Sequence, residues 1–196
     1  MPSLGTAIGA SGDRPDALAE LMGIILNDGV RVPAVTIEQL HFAANTPYET
    51  TLSPGAQAER VMPVEVARTV RSALTGVVAN GTARRLNGVY SAADGSPLAV
   101  GGKTGTGDNR FDRFARGGGI ISSRVVDRTA TFVFFLGDRF FGTVTAYVPG
   151  PDAGRFHFTT AIAVQLLKVM EPELKPLIDP PAAPAEAEAL VGSSQP

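Results

Sequence analysis

Thr129-Ala130-Thr131-Phe132-Val133-Phe134-Phe135-Leu136, closed by Gly137-Asp138-Arg139 and followed by the alternating run Phe141 to Val148, sets the architecture of this chain. An apolar run of strand length, rich in Phe and Val and bounded by a turn, predicts a strand buried on both faces. Working backward, Gly117 to Ser123 and Leu98 to Thr106 read as two further strands. Three or four sequential strands joined by short links make an antiparallel sheet. Helices flank it in the sequence. Pro15 opens a first helical turn, and Leu18, Leu21, Met22 and Ile25 recur at helical spacing before the stop Asn27-Asp28-Gly29. A second helix begins near Pro63, carries the stripe Val66, Val70, Ala73, Leu74 and Val77, and ends at Asn80-Gly81. A third spans Phe156 to Met170 through Phe158, Ile162, Leu166 and Leu167. The predicted class is therefore α+β, an antiparallel sheet flanked by helices.

The connections are legible too. Ser3 to Gly12 reads as a Gly-rich loop feeding the first helix, and Val30 to Glu38 as extended chain that Pro33 confines to an edge. Asn45 to Gln57 reads as a surface loop, and Leu86 to Gly95 as a turn-rich link. Residues 1–175 form the expected folded unit, and 176–196, rich in Pro and Ala with few large apolar groups, an expected disordered tail.

Composition narrows the function. The chain has 196 residues, 44% of them hydrophobic and 18% charged, with a formal net charge of −2, as expected of a globular segment. Seventeen Lys and Arg are offset by nineteen Asp and Glu, and no basic stripe interleaves with aromatics, which argues against a nucleic-acid partner. The absence of cysteine excludes disulfides, thiolate metal sites and a thiol nucleophile. No apolar run approaches the roughly 20 residues needed to span a bilayer, and Met1 to Arg14 has no signal-peptide pattern, so any export signal is expected elsewhere.

The chemistry concentrates in Gly101-Gly102-Lys103-Thr104-Gly105-Thr106-Gly107. An ammonium beside hydroxyls suits an anion, and glycines let a ligand approach the backbone. Period-2 geometry places Thr104 and Thr106 on one face. A phosphate loop would need Gly at the position held by Pro97, and a dinucleotide fingerprint started at Gly105 would close on Arg110 instead of Gly. A Gly-rich turn with an exposed lysine is the plain alternative.

Lys103-Thr104-Gly105-Thr106, at the end of a strand that follows a Gly-stopped helix, resembles the third signature of penicillin-binding proteins and serine β-lactamases. Upstream, Pro15-Asp16-Ala17-Leu18-Ala19 with Asn27-Asp28-Gly29 is similar to the Pro-x-x-Leu-Ala and Asn-x-Gly segment of these transpeptidases. Val77-Val78-Ala79-Asn80-Gly81-Thr82-Ala83 is similar to their Val-Val-x-x-Gly-Thr-Ala element. The resemblance runs in register from about Ser3 to Met170, and it implies part of a penicillin-binding/β-lactamase-like fold.

The resemblance implies acyl transfer. A serine attacks the penultimate D-Ala carbonyl of a peptidoglycan stem peptide, releases D-Ala and passes the acyl group to an amine; β-lactams acylate the same serine. It assigns Lys103 and Thr106 catalytic roles: Lys103 supplies charge beside the nucleophile, and the Thr106 N–H joins the oxyanion hole. Substrate binding falls to Thr104, Gly105 and Thr106, with the two hydroxyls on the carboxylate. No cofactor or metal is implied, and the setting is extracytoplasmic. Ser-x-x-Lys and Ser-x-Asn, which precede the matched region in the family, do not occur in this chain. The expectation is thus a C-terminal portion whose nucleophile and membrane anchor lie upstream, in a parent that also carries a glycosyltransferase. Stem peptides and β-lactams would be partners of that complete domain. Two rivals are a non-catalytic binding module of the same fold and a nucleotide-binding protein using Lys103 and Thr104.

The remaining candidates take plain readings. His41 and His157 stand apart from ligand clusters, and Asp108, Asp112 and Asp127 lack calcium-loop spacing. Arg110, Arg113 and Arg116 read as a solvated loop that could border a substrate groove.

Overall fold

The computed structural model describes residues 13–178 apart from 54 and 56. The Ser3 to Gly12 loop and most of the predicted tail, 179–196, lie outside these residues. Helix α1 (Pro15–Leu26) and helix α2 (Val64–Ala79) begin and end where their sequence signals stand. Between them run four short strands: β1 (Val30–Arg31), β2 (Leu40–Phe42), β3 (Thr50–Leu52) and β4 (Glu59–Arg60). β1 pairs with β4 and β2 with β3, so the predicted loop 45–57 contains one arm of a small hairpin. Asp28 and Gly29 turn the chain out of α1 at positive φ, 51° and 88°. Arg68 grips the Asp28 carboxylate from α2 at 2.7 and 3.2 Å. Those hydrogen bonds hold the Asp28 carboxyl below the usual carboxylate range, although some shielding from water opposes the shift.

The main sheet has three strands in the order β5-β6-β7: β5 (Val100–Phe114), β6 (Ile120–Leu136) and β7 (Phe140–Pro149). All pairings are antiparallel. The two strands predicted at 117–123 and 129–136 are one. The intervening charges do not break it because each has a local partner. Asn109 donates to both Asp127 oxygens at 2.8 and 3.0 Å, and Arg128 bonds Asp108 at 3.1 Å. Arg110 and Arg113 consequently sit on β5 itself, with only Arg116 in the turn. Both neighbours of the Thr131 to Leu136 run come from this chain, so its burial needs no strand from upstream.

Burial follows the alternation of β6. Phe132, Phe134 and Leu136 pack with Val78, Leu86, Tyr90, Val164 and Leu167 in one core, and Ala130 is buried as well. Fully burying side chains of this size stabilises by about 1.5–3 kcal/mol each. On the opposite face Phe135 is also fully buried, with the Arg71 guanidinium 5.6 Å from its ring. The predicted α2 stripe holds at Leu74, which faces the sheet, and at Val77, which packs against the core, but Val66 is 46% exposed and Ala73 is exposed. Ala67 and Arg71 complete the packing face, and a polar residue there kept them out of the predicted stripe.

Helix α3 (Ala161–Val169) is shorter than predicted and buries Ala163, Val164 and Leu167 in place of Ile162 and Leu166. Helix α4 (Glu171–Ile178) carries the chain past residue 176, and Ile178 joins the core. Residues 176–178, assigned to the tail by composition, are therefore part of the folded unit. Tyr90 ties this layer together by donating its hydroxyl to Leu167 O at 2.5 Å. Burial, with the negative charge of Glu171 adding to it, pushes the phenol up to about 12.

Candidate functional site

β5 is an edge strand of the described sheet, and the Lys103–Thr106 segment lies in its first half. Four glycines surround that segment and fall into two classes. A Cβ on Gly101 would come within 2.4 Å of the Phe135 ring and 3.0 Å of the Leu74 backbone. One on Gly102 would meet Val133 O at 2.4 Å and the Phe132 ring at 2.7 Å. These two glycines exist to let α2 and the aromatic core close on the strand. Around Gly105 and Gly107, by contrast, a Cβ would find nothing within 4 Å. Alternation puts Lys103, Gly105 and Gly107 on one face, so the lysine borders open space over two residues that have no side chain.

Lys103 is exposed, and its Nζ donates to the Thr104 carbonyl at 2.7 Å. It forms no ion pair among the described residues. Thr104 faces the other way and is buried, with its Oγ1 2.9 Å from the Thr82 hydroxyl. Thr82 belongs to the Val77 to Ala83 element, where Gly81 lets the chain fold back tightly over Val77. Its pairing with the signature strand gives that element a structural purpose. Thr106 is exposed, and its Oγ1 accepts from the Thr160 N–H at 3.2 Å. A hydroxyl has one donor and two acceptor positions, so the Thr106 proton remains available to an incoming anion.

The segment before α3 is fastened to the same strand. Arg128 donates to Phe158 O at 3.1 and 2.8 Å, lies 5.5 Å over the Phe158 ring, and pairs with Asp108. Arg128 thereby sets where Thr160 meets Thr106. Neither Arg128 nor Thr82 stands out as a site residue in the sequence. The available signals were the charged pair Asp127-Arg128 inside an apolar strand and the hydroxyl after the Gly81 stop.

The other candidates stay apart. His41 pairs with Glu49 at 2.6 Å across the β2–β3 hairpin, and His157 is exposed. Asp108 and Asp127 are engaged by Arg128 and Asn109. No group of three or more potential metal ligands occurs among the described residues. A phosphate loop must pass from strand to helix, whereas residues 100–114 are one unbroken strand, so Lys103 and Thr104 have no phosphate cradle.

The model of the penicillin-binding protein transpeptidase domain matches residues 5–111, more than half of the chain. The chain belongs to this family. No curated protein matches it. Among solved structures it is similar to penicillin-binding protein 3 from Mycobacterium tuberculosis in complex with aztreonam, at 22% identity and TM-score 0.46, covering 79% of this chain. It is likewise similar to the transpeptidase domain of Burkholderia pseudomallei penicillin-binding protein 3, at 23% identity and TM-score 0.46, covering 85% of this chain and 43% of that one. A peptidoglycan glycosyltransferase from Burkholderia ambifaria matches at 21% identity and TM-score 0.46, over 88% of this chain and 43% of that one. The chain spans 34% of the length of the Mycobacterium protein, about a third. Within this transpeptidase domain the matched region ends on β5, just beyond the Lys103–Thr106 signature.

Proposed function

We propose that this chain is the C-terminal portion of a peptidoglycan D,D-transpeptidase and supplies one wall of its acyl-transfer site. The carrying observation is the open face beside Lys103, over Gly105 and Gly107, on an edge strand whose neighbouring glycines are packed shut. An open strand edge with an exposed ammonium on one face and an exposed hydroxyl on the other suits a carboxylate-bearing substrate laid along it.

In this reading Lys103 supplies positive charge next to the nucleophile. Thr106 donates its hydroxyl hydrogen to the substrate carboxylate while Thr160 holds its oxygen. Thr104, expected on the carboxylate as well, is buried with its hydroxyl on Thr82 and so positions the strand beneath the substrate, while Gly105 leaves room for the backbone of the stem peptide. The Thr106 N–H serves the oxyanion that forms when serine adds to the D-Ala carbonyl. The loss of one such donor costs roughly 10²–10³ in rate.

The serine comes from an upstream Ser-x-x-Lys that this chain does not contain. The parent is extracytoplasmic, held at the membrane through upstream sequence, and carries a glycosyltransferase as well. Among the described residues no helix is long and apolar enough to cross a membrane. The test is intact-mass analysis after incubation with a penicillin. The chain alone should gain no adduct, and the protein extended upstream should gain one. A stoichiometric adduct on the chain alone would refute the role assigned to it. An unreactive longer protein would favour a non-catalytic binding module of the same fold.

A further inference from the structure

Beyond the Lys103–Thr106 segment, β5 and β6 continue as a two-stranded arm with tip residues 115–119. From Gly105 to Val126 every residue is exposed except Asp112 and Val125. At about 3.3 Å per residue, the strand from Gly107 to Phe114 reaches roughly 25 Å. Its composition departs from the rest of the molecule. Residues 109–126 hold Arg110, Arg113, Arg116 and Arg124 against Asp112 alone, a formal +3 in a chain totalling −2, which leaves −5 elsewhere.

Large apolar side chains cluster at the same end. Phe114 and Ile120 face each other across the final pair at 62% and 59% exposure, with Ile121 at 65% beside them. Phe111 follows, with the Arg124 guanidinium 5.5 Å from its ring. Apolar groups flanking the turn, with Arg116 in it and Arg113 and Arg124 behind, let a segment dip into lipid while its long cationic side chains reach back to headgroups.

We propose that the β5–β6 arm is a peripheral docking element for an anionic phospholipid surface. Amphipathic segments sink about 5–10 Å into the headgroup–acyl boundary, which is about two to three residues of strand. That depth takes in the 115–119 turn with Phe114 and Ile120 and leaves Arg113 at the phosphates, while the long Arg116 side chain reaches back to them from the turn. An acidic polymer would satisfy the arginines equally well but gives no reason for three large apolar side chains at the tip. The −5 on the remainder of the chain orients the molecule, because only the arm is attracted to a negative surface.

The chain has no tryptophan, so Phe114→Trp introduces a single reporter at the tip. With vesicles containing phosphatidylglycerol its emission should shift to the blue, and added salt or pure phosphatidylcholine should abolish the shift. Arg113→Gln with Arg116→Gln should lower partitioning by on the order of 20-fold, roughly fivefold for each cation removed. Tyr147→Trp, an exposed position on β7 outside the arm, should stay unshifted. Equal shifts at both reporters would mean general adsorption and would overturn the assignment. So would no shift at the tip. Retention on insoluble peptidoglycan through the same arginines, with no response to vesicles, would also overturn it and give the arm to the wall polymer.

Discussion

Replacing Gly101 and Gly105 separately by alanine distinguishes a glycine required by packing from one that keeps a face open. At Gly101 the new methyl lies 2.4 Å from the Phe135 ring, about 1 Å inside van der Waals contact, and 3.0 Å from the Leu74 backbone. Phe135 is fully buried and capped by Arg71, so neither neighbour has free space to move into. Overpacking of this kind costs about 1–3 kcal/mol, and the upper half of that range applies here. Alanine recovers about 0.5–1 kcal/mol through a less flexible unfolded chain, which leaves a net loss of about 1–2.5 kcal/mol. At 2–4 °C per kcal/mol for a domain of this size, Tm should fall by about 2–10 °C. Gly105→Ala meets nothing within 4 Å and should leave Tm unchanged or raise it by about 1–4 °C. The assay is thermal unfolding of both variants beside the parent sequence, followed by circular dichroism. Equal losses at the two positions, or none at Gly101, would refute the division of the glycines on which the site rests.

Three further outcomes follow from individual contacts. Arg128→Gln removes the Asp108 ion pair and two bonds to Phe158 O from a side chain that is 17% exposed; denaturant titration should show a loss of about 2–3 kcal/mol. Thr104→Val leaves the Thr82 hydroxyl without its 2.9 Å partner, so it should cost about 1 kcal/mol in the same assay, and a silent substitution would contradict the buried pair. Tyr90 is raised to about 12 in the folded protein, so the stability tied to its neutral form is whole below about pH 10 and is lost as pH rises through about 12. Urea midpoints across that window should fall more steeply for the parent sequence than for Tyr90→Phe.

The helices α1 and α2 were legible because their stops are local chemistry: Asn27-Asp28-Gly29 turns at positive φ, and Asn80-Gly81 closes α2 without a long-range partner. The β6 core run was legible from the side chains of Phe132 to Leu136 alone. The continuous strand 120–136 was not, because Asp127 and Arg128 read as a break until Asn109, Asp108 and Phe158 O are brought alongside them. The α2 stripe was legible only in part, at Leu74 and Val77, since Arg71 sits on the packing face by virtue of Phe135, distant in sequence.

At the site, the Lys103-Thr104-Gly105-Thr106 signature was readable as residues, but the sorting of its glycines was not. Gly101 and Gly105 look alike in sequence and differ only in what stands opposite them. The pairing of Thr104 with Thr82 and of Thr106 with Thr160 likewise depends on tertiary placement.

The central claim is that the free edge of β5, flanked by Lys103 on one face and Thr106 on the other, is a working wall of a serine acyl-transfer site. The most direct measurement is the second-order rate of acylation by a penicillin in the upstream-extended protein, with and without Lys103→Ala, alongside each variant's Tm. Removing the exposed charge proposed to stand beside the serine nucleophile should slow acylation by on the order of 10- to 100-fold, the equivalent of a charge-assisted hydrogen bond, with Tm unmoved. An unchanged acylation rate in a protein that is otherwise readily acylated would show that Lys103 belongs to a glycine-rich strand and to no active site.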